Sequence, residues 1–156
     1  MQRQLTTDQR NAFVDQVCDV VDDELLDDVI EWAFDEAWNA FRLEVFHIPA
    51  RGQHGEESAV VRGERAIYVS PNGTPGEARL WDLLHEMGHA EQEPPPDDYR
   101  PARTAECFAR ERDAWDRGWR RARAAWPVLD GYGASFRQHA DRMAASYDPN
   151  GAPSTR

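Results

Sequence analysis

Apolar residues recur at three- and four-residue steps through the first quarter of the chain: Phe13, Val14, Val17, Val21, Leu25, Val29, Trp32, Ala33, Ala37 and Phe41. That period predicts helix. Thr7 before Asp8 supplies a start signal, and Asp22-Asp23-Glu24 divides the stretch into two helices. Shorter runs follow. Leu43 to Ile48 ends at Pro49, and Gly52 to Glu57 reads as a loop. Ser58 to Val61 and Ala66 to Ser70 flank Arg62-Gly63-Glu64-Arg65, which predicts a hairpin with a glycine-containing turn. The sheet should hold about three strands.

A second helical set begins after Pro71-Asn72-Gly73. Thr74 reads as N-cap, Pro75 as the first helical residue and Glu77 as the far side of a capping box. Leu80, Leu83, Leu84 and Met87 continue that helix, and Pro94-Pro95-Pro96 stops it. A longer helix is predicted from Ala102 to Ala125, before Pro127. Its Trp115 and Trp119, with Trp126 just beyond, step along one face and point to the core. Asp130 to Gly133 reads as a loop, Ser135 to Tyr147 as a last helix, and 148–156 as a disordered polar tail. The expected architecture is α+β in one domain over 1–147, with a small antiparallel or mixed sheet, packing helices and an acidic helical part at about 7–42.

Charge narrows the function. The chain has 18 basic and 29 acidic residues, a formal net charge of −11. Every basic residue is arginine, which excludes lysine chemistry: no P-loop lysine, Schiff base or lysine base. The acidic balance argues against nucleic-acid binding. Asn11 to Phe41 contains no arginine, so its acids form a solvated face or a surface for a basic partner. Cys18 and Cys107 are too few for a disulfide framework and fit a reducing compartment. No signal peptide or membrane-spanning run is evident, and a cytoplasmic protein is expected.

Candidate chemistry lies in the helix after the hairpin, where His85-Glu86-Met87-Gly88-His89 reads H-E-x-x-H. Spacing of i, i+4 puts both imidazoles on one helix face, where they can share a metal. Glu86 beside the first histidine is placed to act as general base. Catalytic zinc takes three protein ligands and keeps a fourth position open. Three positions after His89 stands Gln92, so the metzincin continuation is absent. Glu106 and Glu111 are the candidates for third ligand. Around Glu111, at three and four residues, lie Cys107, Phe108, Ala114 and Trp115, whereas Glu106 has Ala102, Arg103, Ala109 and Arg110. A carboxylate on an apolar face needs a partner or a metal, which favours Glu111. His47, His54 and His139 read as structural or surface residues.

These residues resemble the ImmA/IrrE-type zinc metallopeptidases of the gluzincin group. The likeness is carried by Ala66-Ile67-Tyr68-Val69-Ser70, a short proline-containing link, Leu83-Leu84-His85-Glu86-Met87-Gly88-His89-Ala90, and Glu111-Arg112-Asp113-Ala114-Trp115, within about residues 58–120. Glu106-Cys107-Phe108-Ala109 also fits the family's E-x-x-A pattern. The resemblance implies a minimal zincin-like fold, zinc on His85, His89 and Glu111, and hydrolysis of a peptide bond in a specific protein substrate such as a regulator, by water that Glu86 activates. The oxyanion donor is left open among Tyr68, Tyr99, Tyr132, His139 and nearby arginines. A substrate strand is expected to add to the hairpin sheet's edge. One departure is Trp115, four residues after Glu111, where gluzincins often carry Asp or Asn.

Two other functions compete. A non-catalytic binding or regulatory protein with a metallopeptidase-like fold would use its acidic helices to capture a basic partner. A purely structural zinc site would need a fourth ligand, from Cys107, His139 or Glu106.

Overall fold

The computed structural model describes residues 8, 10–14, 23–47, 58–69 and 76–151. Thr7, Val17, Cys18, Val21, His54, the 52–57 loop, Pro71 to Pro75 and residues 152–156 lie outside them. Helix α1 spans Glu24–Phe41. This helix starts where it does because Asp23 takes extended backbone and its carboxylate accepts the Leu25 N–H at 2.9 Å, satisfying an amide that has no helical partner. Leu26, Val29, Ile30, Ala33, Phe34 and Ala37 form its buried face. Phe13, within helical residues 10–14, meets Phe34 edge-on at 5.8 Å.

Strands β1 (Glu44–His47), β2 (Ala59–Val61) and β3 (Ala66–Val69) form a mixed sheet in the order β1-β3-β2. β2 runs antiparallel to β3 with Val60 opposite Ile67, and β1 runs parallel to it with Val45 beside Ile67. The hairpin is there, but its turn works differently from the glycine reading. Arg62–Glu64 form a 3-10 turn, and Arg65, at φ 53°, takes the left-handed position. A Cβ on Gly63 would meet nothing within 4 Å, so the turn does not require glycine.

Helix α2 (Ala78–Glu91) carries the motif and packs against β3 and every later helix. It starts three residues after the position read from sequence. Gly76, at φ 82°, breaks helical geometry, and Glu77 accepts from Ser135 Oγ at 2.5 Å; the capping partner expected at Thr74 lies outside the described residues. Trp81 is wholly buried, edge-on to Trp119 and Phe136 at 5.8 and 5.7 Å. Helix α3 (Ala105–Ala125) is capped by Thr104, which accepts the Cys107 N–H at 3.1 Å. A 3-10 segment, Pro127–Tyr132, replaces most of the expected loop and leads into α4 (Gly133–Ala144). A 3-10 turn, Ala145–Tyr147, then closes the helical run. Part of the segment read as a disordered tail is placed: Arg103 donates to the carbonyls of Asp148 and Gly151 at 2.9 and 2.8 Å. The fold is α+β, and no helix among the described residues is long and apolar enough to cross a membrane.

Candidate metal centre

Two glycines set the distance between α2 and α3. A Cβ on Gly88 would lie 1.9 Å from the Ala114 carbonyl oxygen, and one on Gly118 would lie 2.0 Å from that of Leu84. Each helix thus presses its backbone onto the other where a side chain would forbid it. That contact brings Glu111, on α3, against the two histidines of α2. His85 Nε2 stands 2.8 Å from Glu111 Oε2, and His89 Nε2 stands 3.2 and 3.3 Å from the two carboxylate oxygens. The candidate ligand atoms of His85, His89 and Glu111 all lie within 4.8 Å of one another. Glu106 is exposed and outside this group.

The electrostatics follow from burial around a shared charge. Glu111 is 8% exposed. Burial pushes its carboxyl up, but hydrogen bonds and charge from His85 and His89 outweigh this and bring it to about 2. Burial opposes protonation of His89, yet Glu111 and Glu86 together hold it above its ordinary value. Glu86 is 4% exposed, with Oε1 3.4 Å from His85 Nδ1. Burial drives its carboxyl above the usual range; His85 and His89 pull against that shift, and the charges of Glu111 and Asp82 add to it. The His85 and His89 side chains keep 13% and 16% exposure, so the cluster opens to solvent on one side.

Each imidazole is held by a different device. The His85 ring lies flat on Trp115, with centroids 4.1 Å apart and planes within 4°. Phe136 and His139 meet the Trp115 ring edge-on, at 5.6 Å each. His89 instead pairs through Nδ1 with Gln92 Oε1 at 2.8 Å. The sequence marks Gln92 only as the place where a metzincin ligand is missing, and Trp115 as core and as a departure from the gluzincin Asp or Asn; neither contact with a histidine is expected from it. The helical i, i+3 spacing of His89 and Gln92 was the available signal.

The remaining candidates are spoken for elsewhere. His139 Nε2 pairs with Asp82 at 2.7 Å in a buried cluster, and Tyr132 donates to Asp23. Tyr68 stacks on Phe46 in the sheet. Tyr99 hydrogen-bonds with Cys107; burial and that bond push its phenol up, and the Glu111 charge adds to this. Cys107 is buried and directed at the Arg100 carbonyl. No fourth protein ligand joins the cluster among the described residues. His47 lies on β1.

Two imidazoles and a carboxylate are a donor set that suits zinc, and also manganese, iron or cobalt. A carboxylate kept ionised between two ring nitrogens fits a cation. Comparison of the chain with protein families, with curated proteins and with solved structures finds no match.

Proposed function

We propose that this protein is a zinc-dependent metallopeptidase of the ImmA/IrrE-like, gluzincin kind, acting on a peptide bond in a specific protein substrate. The observation that carries the proposal is the convergence of His85, His89 and Glu111, with the buried Glu86 alongside. His85, His89 and Glu111 would hold the ion. A zinc ion so held supplies Lewis acidity, which acidifies water and polarises a carbonyl. Glu86 is the base: a carboxylate raised by burial works nearer neutral pH than a free one. It takes the proton of the attacking water as the new C–O bond forms. It returns that proton to the amine nitrogen as the C–N bond breaks.

Metal analysis of purified protein tests the site. About one zinc per chain is expected, lost in His89→Ala and Glu111→Ala and kept in Glu106→Ala. Glu86→Gln should keep the zinc and stop cleavage in a whole-proteome digest compared by new N-termini. Folded wild type that takes up no added zinc would overturn the proposal.

The alternative is a binding protein with a metallopeptidase-like fold. It is favoured by one observation: Glu24, Asp27, Asp28, Glu31 and Asp35 are all exposed on α1. It expects salt-sensitive capture of a basic partner, unaffected by Glu86→Gln.

A further inference from the structure

We infer that Gln92 is the positioning residue that sets the tautomer of His89, so that Nε2 and not Nδ1 is the nitrogen offered to a metal. The inference rests on the metallopeptidase reading and extends it beyond the ligands themselves. A ligating histidine commonly ties its second ring nitrogen to an acceptor, which fixes both ring and tautomer.

Glutamine has one acceptor oxygen and an NH2 group with two donors. At Gln92 all three functions are used. Nε2 donates to the Arg110 carbonyl at 2.9 Å and to Asp113 Oδ2 at 2.8 Å. A carbonyl only accepts. Asp113 also receives Arg117 Nε at 2.7 Å, as a carboxylate does. The amide nitrogen must therefore face these two groups, and the oxygen must be the atom 2.8 Å from His89 Nδ1. That oxygen can only accept, so Nδ1 carries the hydrogen. In a neutral imidazole Nε2 is then left with its lone pair.

Nε2 stands 3.3 Å from Glu111 Oε2. When the ring gives up its second proton, Nε2 is the nitrogen that loses it, because Nδ1–H stays bonded to the amide oxygen. The arrangement thus leaves Nε2, beside Glu111, as the atom for a metal. Main-chain contacts keep it in place: Arg62 Nη2 donates to the carbonyls of both His89 and Gln92 at 3.0 Å. Gln92 is 8% exposed, so water has little access to compete. A glutamate here could accept from His89, but it would set a second carboxylate against Asp113 and the Arg110 carbonyl. Only an amide satisfies both sides.

Side-chain 15N NMR of the zinc-loaded full chain, with zinc affinity from chelator competition, tests this on wild type, Gln92→Ala and the bulkier apolar Gln92→Met. Wild type should show a protonated Nδ1 at His89. Each variant should bind zinc about 10- to 100-fold more weakly and lose the single His89 tautomer, while His85 keeps its signal. Wild-type affinity in a folded variant overturns the inference and leaves the site reading intact. Weaker zinc with an unaltered His89 tautomer also overturns it, because Gln92 would then be merely structural. If Gln92→Ala does not fold, Gln92→Met decides. A wild type that binds no zinc removes the metallopeptidase reading and this inference with it.

Discussion

Arg79 has no exposed surface, and its Nε and Nη1 have no hydrogen-bond partner among the described residues. Its Nη2 donates to the Val69 carbonyl at 3.3 Å, and Asp82 stands 3.8 Å from Nη1. Burial lowers the guanidinium to about 10 and Asp82 opposes the shift, so it stays charged at neutral pH. Asp82 also receives His139. Removing Asp82 strands a buried cation, and Asp82→Ala should cost about 3–5 kcal/mol in urea unfolding. Replacing both partners, as Arg79→Met with Asp82→Leu, should recover most of that loss. His89 responds to pH. Its protonated form is favoured beyond the ordinary value, and a ligating imidazole must give up that proton. Zinc affinity should therefore rise as pH is raised through and above the ordinary histidine range, as read by competition titration.

At the scale of elements, glycine reverses its usual effect. In an exposed helix, alanine gains about 1 kcal/mol over glycine. At Gly88 or Gly118 the added methyl meets a backbone carbonyl, and the expected outcome is a loss of about 1–3 kcal/mol together with weaker zinc binding. Thr104→Ala is the contrasting case. It should cost about 1 kcal/mol through the α3 cap without moving Glu111, so thermal stability falls while zinc stoichiometry holds. These elements were legible to different depths. Helical period and the acidic triplet located α1, and the apolar neighbours of Glu111 distinguished its position from that of Glu106. The parallel pairing of β1 with β3 was not legible, because strand direction depends on contacts between distant segments. Nor was the link from Gln92 to Asp113, which exists only once α2 and α3 lie against each other. The start of α2 was misplaced because Pro75 and Glu77 imitate a cap, whereas Gly76 interrupts the helix.

Across the whole molecule, ion pairs tie three helices together. Arg121 reaches Glu36 on α1 at 2.7 Å and Glu91 on α2 at 3.3 Å. Arg117 joins Glu91 to Asp113, which in turn holds Gln92. One acid of α1 is thereby matched by an arginine of α3, while much of its acidic face stays in solvent. A double-mutant cycle on Arg121 and Glu36 should give a coupling of at most about 1 kcal/mol, shrinking as salt is raised. The molecule also carries its own optical signal. Trp115 lies flat against His85 at 4.1 Å, so an open-shell ion such as Cu2+ held by that imidazole would sit close enough to quench the indole's fluorescence. Zinc, with its filled d shell, would leave the emission bright, and displacement of one ion by the other could be followed as light.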